Sequence, residues 1–279
     1  MISCPTVEKR VIERHYDVST LFYRLLWGAH IHHGLWHGQE PIQQAQLQLT
    51  DTLAHRGRVT SGMKVLDVGC GMGGSSIHLA KHYGCDVTGV TLSGLQRHWA
   101  TWSSWLQGAS GKTRFCHVDA ERFQSSPEAF DLVWSIECTE HLFQKDAFFR
   151  RVGEWLRPGG RVAICAWLAG NTAGQPALEQ QVYDVCEGFF CPSLGTMDDY
   201  VGWFRQAGLE MQVTEDWTEK VLQTWEICRR RVQQTKVHWI APFIDKNAVM
   251  FLERFDTILN AYRSGAMRYG CLVAEKPAT

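Results

Sequence analysis

Apolar residues between positions 64 and 167 follow two different spacings. Short apolar runs, rich in β-branched residues, predict strands at 64–68, 86–90, 113–118, 130–135 and 161–167. Apolar residues at helical spacing predict helices between these strands, at 75–83, 95–107 and 146–156. Strands that alternate with helices through short connections are typical of an α/β fold with a doubly wound, mostly parallel sheet.

Helical spacing dominates both flanks of this region. Before it, the pattern predicts two short helices within 5–26, interrupted near 16–19, and a helix over 41–56. After it, helices are predicted near 178–189, 197–207, 219–237 and 247–264, together with strands at 209–214 and 268–274. Residues 196–199 resemble a capping box that opens the 197–207 helix. The last two strands bring the predicted sheet to seven. Because no repeat or low-complexity linker divides the sequence, one sheet domain with helical additions is preferred.

A glycine-rich turn directly follows the first of these strands. Gly69, Gly71 and Gly73 permit backbone conformations with positive φ and let a ligand approach the bare main chain. Many nucleotide-binding folds share such a turn, so it does not select a ligand by itself. A dinucleotide-binding fold places Asp or Glu about 20 residues further on, but Leu92 and Ser93 stand there. This difference argues against a nicotinamide-dependent oxidoreductase.

Composition and charge argue against several classes of protein. The chain has 279 residues, of which 45% are hydrophobic and 20% charged, and its net charge of -1 gives no basic footprint for nucleic acid. Residues 1–14 have mixed charge and no apolar segment, so no signal peptide is expected, and the sequence contains no run of about 18 apolar residues, so no stable membrane insertion is expected. Ten cysteines without a Cys-x-x-Cys pair favour a reduced, cytoplasmic protein.

Three segments of the central region resemble signatures of class I S-adenosylmethionine-dependent methyltransferases. They are VLDVGCGMGG at 65–74, FDLVWS at 130–135 and LRPGGRV at 156–162, in the order and at the intervals of that class. Residues 16–36 and 87–96 resemble the tocopherol methyltransferase branch, which also contains small-molecule and sugar O-methyltransferases. The resemblance covers nearly the whole chain.

This resemblance implies a Rossmann-like methyltransferase fold that uses S-adenosylmethionine and releases S-adenosylhomocysteine. It divides the chain into an N-terminal helical lid (1–60), an S-adenosylmethionine-binding core (61–170), a helical substrate-binding insertion with one core strand (171–265) and a final strand (266–279). The expected partner is a small-molecule substrate, and the oligomeric state stays open.

Two carboxylates at predicted strand ends are candidates for contacts with the methyl donor. Asp67 either holds the glycine loop or binds the donor's ammonium group; the alternative is a carboxylate that only caps nearby N–H groups. Asp119, followed by Ala120, comes after the third predicted strand at the same edge of the sheet. There its carboxylate can accept a hydrogen bond from the exocyclic amine of adenine; the alternative is that it is a helix N-cap.

The other donor contacts follow from the resemblance. Since the branch lacks the acidic ribose ligand of the wider class, the ribose is assigned to Leu92, Ser93 and Gln96. Tyr16 and Trp27 are expected to cover the sulfonium, because aromatic faces attract such cations by about 0.5–2 kcal/mol. The full set of expected cofactor contacts is Asp67, Gly69, Gly71, Gly73, Leu92, Ser93, Gln96, Asp119, Ala120, Ser135, Tyr16, Trp27 and His33.

Four histidines cluster in the loop predicted before the 41–56 helix. His30, His32, His33 and His37 have a density that permits a metal site. No cysteine or carboxylate stands at an obvious ligand spacing, however, and the resemblance makes this loop part of the lid. We therefore expect no metal, and we expect the rings to line the roof of the active site or to pack the N-terminal helices.

Residues 136–142 follow the fourth predicted strand, where the acceptor should meet the methyl group. His141, with an ordinary pKa near ~6.5, suits a general base toward a hydroxyl, and the resemblance implies the same role. Alternatively, it caps a helix or orients Glu137. Glu137 is a second catalytic candidate, which either faces the donor or stabilises a developing cation.

Aromatic residues outside the predicted sheet suggest an apolar acceptor pocket. Its candidate lining residues are Trp36, Trp167, Tyr183, Phe189 and Trp225, although each is also a candidate for the core. The resemblance favours O- or C-methylation of a small, largely apolar acceptor of the phenol or quinol type.

Four other functions compete with this one. An isoprenoid diphosphate C-methyltransferase would use Glu137 to assist proton loss and the arginines at 229–231 to hold phosphate, although such an arginine run is also typical of a solvated helix face. Another natural product could be N- or O-methylated. Outside the class stand a nicotinamide oxidoreductase and a non-catalytic protein that binds the donor.

Overall fold

The computed structural model describes residues 1–26, 28, 30–234 and 255–278. Trp27, an expected donor contact, lies outside the described residues, and so do parts of the helices predicted at 219–237 and 247–264.

Strands and helices alternate through the centre of the described chain. It begins with β1 (Ile2–Ser3), α1 (Lys9–Leu26) and α2 (Ile42–Arg56). The central elements are β2 (Lys64–Val68), α3 (Gly74–His78) with a π-helical turn (Leu79–Tyr83), β3 (Asp86–Thr91), α4 (Gly94–Leu106), β4 (Thr113–His117), β5 (Phe130–Ile136), a 3-10 turn (Thr139–His141), α5 (Lys145–Trp155) and β6 (Leu156–Ala169). The remaining elements are α6 (Pro176–Gly188), β7 (Ser193–Leu194), α7 (Met197–Gln206), β8 (Glu210–Asp216), α8 (Thr218–Val221), α9 (Gln223–Gln234), α10 (Phe255–Ser264) and β9 (Met267–Glu275).

In the described part of the chain, seven strands form one sheet in the order β4-β3-β2-β5-β6-β9-β8. The first five run parallel, and β9 pairs antiparallel with both β6 and β8. The predicted doubly wound, mostly parallel seven-stranded sheet is therefore confirmed. Because parallel strands point the same way, the carboxyl ends of β2, β3, β4 and β5 meet at one edge, where ligands of such sheets bind.

The core lies on both faces of the sheet. Along β5, the side chains of Leu132 and Trp134 pack with Leu49 of α2 on one face, and Val133 packs with Phe149 of α5 on the other. This alternation follows from the two-residue period of a strand. Burial on both faces explains why the strands read as nearly continuous apolar runs.

One element differs from the sequence-based prediction. The two short helices predicted within 5–26 form a single helix, α1. The polar residues near the predicted break have partners, because the Thr20 hydroxyl donates to the Tyr16 carbonyl and the Asp17 carboxylate accepts from the Ser93 hydroxyl at 2.5 Å. A tertiary contact thus satisfies the polar group that favoured a helix end.

Other differences concern element ends. Strand β6 begins at Leu156 rather than at 161, with a register shift against β5 between Phe130 and Leu132. The predicted capping box at the start of α7 is present: the Thr196 hydroxyl accepts from the Asp199 N–H and the Asp199 carboxylate accepts from the Thr196 N–H. A small antiparallel pair, β1 with β7, was not predicted.

Candidate active site

The loop that follows β2 is built by glycines in the left-handed region. Gly69 has φ of 77°, and a Cβ there would lie 2.3 Å from the Cys138 side chain. Gly71 has φ of 52°, and a Cβ there would meet no atom within 4 Å. Packing therefore requires glycine at position 69, whereas Gly71 borders open space. Packing also requires glycine at position 73, because a Cβ there would lie 2.9 Å from the Cβ of Ala100.

A cavity of about 760 Å³ lies at the carboxyl ends of β2, β3, β4 and β5, and we call it the strand-end cavity. It gathers residues from six separate parts of the sequence. Its lining includes these expected site residues: Tyr16, Gly69, Gly71, Leu92, Ser93, Gln96, Asp119, Ala120, Glu137 and His141.

Two further cavities adjoin the strand-end cavity. The glycine-loop cavity, of about 360 Å³, is lined by Asp67 and His32 and shares Gly69 and Gly71 with it. The aromatic cavity, of about 580 Å³, is lined by the expected residues His33, Trp167, Phe189 and Trp225 and shares Tyr16, Glu137 and His141 with the strand-end cavity. The three spaces are therefore neighbours, with the two catalytic candidates between the larger two.

The loop between β3 and α4 is fixed by side-chain hydrogen bonds. The Ser93 hydroxyl accepts from the Gln96 N–H at 3.1 Å, which caps α4, and donates to Asp17 of α1. The Thr91 hydroxyl donates to the Gln96 side-chain oxygen at 3.0 Å. These bonds hold Ser93 and Gln96 at the wall of the strand-end cavity.

Asp119 is tied to the N-terminal helix. Its Oδ2 accepts from the ammonium group of Lys9 at 2.7 Å, and its Oδ1 accepts from the Glu121 N–H at 2.9 Å. Its backbone carbonyl also accepts from the N–H groups of Arg122 and Phe123, which closes a turn. The side chain is thus held at the cavity wall and also organises the turn after β4.

Asp67 is buried at the end of β2. Its Oδ2 accepts from the Ser76 hydroxyl at 2.5 Å, and only 2% of the residue is exposed. Burial raises the pKa of Asp67 to about 7, although the Ser76 hydrogen bond acts in the opposite direction. The carboxyl group therefore links β2 to α3 and also borders the glycine-loop cavity.

His141 lies in the 3-10 turn after β5 with both ring nitrogens engaged. Nδ1 lies 3.1 Å from the Phe190 carbonyl, which can only accept, so Nδ1 carries the proton. Nε2 then accepts from the Tyr16 hydroxyl at 2.9 Å. Burial lowers the pKa of His141 to about 4, so the ring is neutral at pH 7 and its acceptor lone pair is at Nε2.

Glu137 receives three hydrogen bonds on one oxygen. Oε1 accepts from the backbone N–H of His33 at 2.8 Å, from its ring Nδ1 at 2.9 Å and from the Tyr269 hydroxyl at 2.7 Å. Burial alone would raise the pKa of Glu137, but the adjacent His33 ring and these hydrogen bonds lower it to about 2. Its φ of 53° is in the left-handed region, a strain that often occurs at functional sites.

The sequence of the chain matches one known protein family. Residues 5–269 fit the sequence profile of the mycolic acid cyclopropane synthetase family. The chain belongs to this family. It is thus an S-adenosylmethionine-dependent methyltransferase that acts on small molecules.

Three relatives illustrate the range of the likeness. Tocopherol O-methyltransferase from Arabidopsis thaliana chloroplasts is 29% identical over 96% of this chain and 82% of its own length. The 27-O-demethylrifamycin SV methyltransferase of Amycolatopsis mediterranei is 28% identical over 95% of this chain and 97% of its own. The structure of mycolic acid cyclopropane synthase CmaA1 with S-adenosylhomocysteine (SAH) superposes with a TM-score of 0.86 at 19% identity, covering 95% and 97% of the two chains.

Four expected site residues of this methyltransferase lie outside the linings of the three cavities. The Ser135 hydroxyl donates to the Val68 carbonyl at 2.9 Å and joins β5 to β2. The Trp36 indole N–H donates to the Thr224 hydroxyl at 2.9 Å, and Tyr183 packs against the core. Gly73, as described above, packs against α4. For these residues the structure shows packing roles that their sequence positions do not reveal.

The histidine cluster does not form a metal site in the described residues. There, no group of three or more His, Cys, Asp or Glu side chains is arranged to hold an ion. Burial lowers the pKa of His30 and His32, while His37 is exposed. His33 instead binds Glu137 and lines the aromatic cavity. In the same described ranges, no helix is long and apolar enough to cross a membrane.

Sequence reasoning missed Glu140, which lines the aromatic cavity. Its side chain accepts a hydrogen bond from the Trp167 backbone N–H and is 2% exposed. Burial raises the pKa of Glu140 to about 8. The only signal in the sequence was its position next to His141.

Replacing Asp67 with asparagine should make stability less dependent on pH. Because the pKa of Asp67 is raised in the folded state, its favourable contribution is present below its unfolded pKa and is lost as pH rises through about 7. We expect the free energy of unfolding of wild type to fall relative to that of Asp67→Asn, by up to about 4 kcal/mol, between pH 4 and pH 8. Urea unfolding of both proteins at several pH values measures this difference.

The matched control for this experiment is Asp86→Asn, which removes an exposed carboxylate at the start of β3. Its stability curve should run parallel to that of wild type. Parallel curves for Asp67→Asn as well would show that Asp67 does not titrate as described.

Proposed function

We propose that this methyltransferase moves the methyl group of S-adenosylmethionine to the oxygen of a small phenol- or quinol-like acceptor, with His141 as the general base. The observation that carries this proposal is the position of His141, which lines the strand-end cavity and the aromatic cavity together. The donor would occupy the first cavity and the acceptor the second. The reacting atoms would then meet beside Nε2 of His141.

The proposed binding site for S-adenosylmethionine uses residues at the ends of four strands. Ser93 and Gln96 would bind the ribose, and the Asp119 carboxylate would accept a hydrogen bond from the exocyclic amine of adenine. The exposed backbone at Gly69 and Gly71 would approach the amino acid part, with Asp67 near its ammonium group. A rigid seat of this kind matters because methyl transfer depends on orientation, which can supply roughly 7–11 kcal/mol.

The proton balance suits a neutral imidazole. As the acceptor oxygen attacks the methyl carbon, the carbon–sulfur bond breaks and its electron pair returns to sulfur, which gives S-adenosylhomocysteine. The oxygen becomes positive, so its proton turns strongly acidic and passes to Nε2 of His141. A base with a pKa of about 4 is unprotonated at pH 7 and can accept this proton. In this step the acceptor hydroxyl takes the place of the Tyr16 hydroxyl at Nε2.

Glu137 would act as a fixed negative charge rather than as a base. Its pKa of about 2 makes it a poor proton acceptor, and three donors already occupy Oε1. A carboxylate on the wall shared by both cavities attracts the sulfonium and positions His33. The two groups thus differ in protonation behaviour, which is a recurring way to separate catalytic roles.

Methylation of an isoprenoid diphosphate is the rival within the class. The described residues that line the three cavities include no arginine. Lys9 lines the strand-end cavity, but its ammonium is paired with Asp119. Arg229 lies 3.1 Å from Asp256 on α10, and 40% of its side chain is exposed. These contacts favour an acceptor without phosphate.

Calorimetry with S-adenosylmethionine, S-adenosylhomocysteine and NAD tests the donor site first. We expect micromolar binding of both sulfur ligands and none of NAD. Methyl transfer is then assayed with phenols, quinols and prenyl diphosphates. Turnover of phenols or quinols alone supports the proposal, whereas turnover of prenyl diphosphates alone supports the rival. Donor binding without turnover of any acceptor would support a non-catalytic role.

A further inference from the structure

Among the described residues that line the aromatic cavity, buried polar atoms without a hydrogen-bond partner include Nε2 of His33, Oε2 of Glu140 and Nε1 of Trp167. The last two belong to residues that are joined by a hydrogen bond from the Trp167 backbone N–H to the Glu140 carboxyl group. Buried polar groups are nearly always hydrogen-bonded, so an unpaired one in a ligand cavity calls for a partner from the ligand.

The hydrogen bond that Glu140 already makes fixes its free oxygen. Oε1 accepts from the backbone N–H of Trp167, and the residue is 2% exposed. Burial raises the pKa of this carboxyl group to about 8, so it is neutral at pH 7. Since Oε1 accepts, the proton belongs on Oε2. Oε2 is therefore a hydrogen-bond donor at neutral pH.

Among the described residues, the polar groups near Glu140 bind atoms other than its Oε2. The ammonium group of Lys145 lies 3.4 Å from the Glu140 backbone carbonyl rather than from its carboxyl group, and it donates to the Leu142 carbonyl at 2.7 Å. The Tyr200 hydroxyl is 2.7 Å from the Thr139 hydroxyl. The titratable groups that interact with Glu140 electrostatically are Glu137, Lys145, Cys138, Cys191, Tyr200 and Tyr262.

The indole ring of Trp167 is held by its neighbours. It packs edge to face with Phe189 at 5.4 Å and with Trp225 at 5.7 Å between ring centroids. Its backbone N–H binds Glu140, so the two residues are coupled. An indole N–H can only donate. Glu140 and Trp167 thus each offer a proton and need a lone pair.

We infer that the aromatic cavity binds an acceptor that carries, besides the methylated hydroxyl, a second oxygen with free lone pairs, such as a ketone or quinone carbonyl, which Glu140 and Trp167 recognise. This inference rests on the proposed function and names a further feature of its substrate. A carbonyl oxygen has two lone pairs and can accept from both donors. An all-hydrocarbon acceptor would leave both donors unpaired on binding.

A matched pair of probes isolates the carbonyl. 4-Methoxybenzophenone and 1-benzyl-4-methoxybenzene differ only in a carbonyl or a methylene between the rings. Both are methyl ethers, so they represent reaction products and do not ionise. Their binding to the SAH-loaded protein is measured by calorimetry at pH 7. We expect wild type to bind the ketone about tenfold more tightly.

One variant and its control test the contribution of the Trp167 donor. Trp167→Phe keeps an aromatic ring but removes the N–H, and it should reduce the ketone preference several-fold. Trp134→Phe is the matched control, because its buried indole N–H is also unpaired but lies in the core outside the three cavity linings. The control should keep the wild-type preference. SAH affinity checks that each variant is folded.

The pH dependence identifies Glu140. The raised pKa means that Oε2 keeps its proton below about pH 8 and loses it above. The ketone preference of wild type should therefore fall between pH 7 and pH 9. In Glu140→Gln an amide N–H replaces the carboxyl proton and Oε1 is retained as an acceptor, so the preference should be the same at both pH values.

The outcomes separate this inference from the proposed function. Equal affinity of wild type for both ethers would overturn the inference, and so would equal losses of preference in Trp167→Phe and Trp134→Phe. Methyl transfer to 4-hydroxybenzophenone and 4-benzylphenol is assayed separately. If both phenols are methylated while the ethers bind equally, only the inference fails; if neither is methylated, the proposed function fails.

Discussion

Replacing His141 with alanine should lower kcat for a phenolic acceptor by about 10²–10⁴-fold, which is the usual contribution of a general base. The imidazole is neutral at pH 7, and His141 lies on the wall common to the strand-end and aromatic cavities. Without it, the proton released as the ether forms loses its proposed acceptor. Initial rates at saturating S-adenosylmethionine measure the effect.

Two comparisons make this result interpretable. Calorimetric affinity for S-adenosylmethionine should stay within a few-fold of wild type, since the strand-end contacts of the donor are preserved. Tyr16→Phe should have a smaller effect on kcat, because it removes the hydroxyl at Nε2 but keeps the base. Near-normal turnover by His141→Ala would contradict the base assignment and favour a purely positional role.

Gly71→Ala should weaken binding of S-adenosylmethionine by at least about tenfold, or 1.4 kcal/mol. The added methyl group would project into space that is empty in the structure and borders both the strand-end and glycine-loop cavities. It would also force alanine to adopt φ of 52°, at a cost of about 1–2 kcal/mol in stability. Calorimetry and urea unfolding measure the two effects separately.

Gly108→Ala is the control for backbone strain. Gly108 has φ of 71°, no atom lies within 4 Å of its Cβ position, and it follows α4 away from the cavities. It should lose similar stability and keep wild-type donor affinity. If both variants lose affinity equally, strain rather than contact with the donor explains the effect, and the proposed donor seat is wrong.

The sequence predicted most of the scaffold because the scaffold depends on local signals. Apolar runs identified every strand of the large sheet, and Thr196 with Asp199 identified the start of α7. Prediction failed where distant contacts override local preference. Asp17 favoured a break in α1, yet Ser93 of the β3–α4 loop satisfies its carboxylate and the helix continues.

The site was predicted unevenly for a similar reason. Gly71 was expected at the donor site from the glycine pattern and Gln96 from the resemblance, and both line the strand-end cavity because parallel strands bring their carboxyl ends together. Aromatic residues outside the predicted sheet have no comparable positional signal in the sequence. Trp225 lines the aromatic cavity and Trp36 does not, although both are bulky and apolar.

The sequence alone determined the order of strands and helices, the glycine loop after β2 and the class of reaction, because spacing and motif reside in neighbouring residues. Tertiary structure alone decided which acids and bases face each other. Glu137 and Glu140 are three residues apart, yet the pKa of the first is about 2 and that of the second about 8. The hydrogen-bond donors around Glu137 come from His33 and Tyr269, more than 100 residues away. Burial and long-range hydrogen bonding set these values, and neither can be read from local sequence.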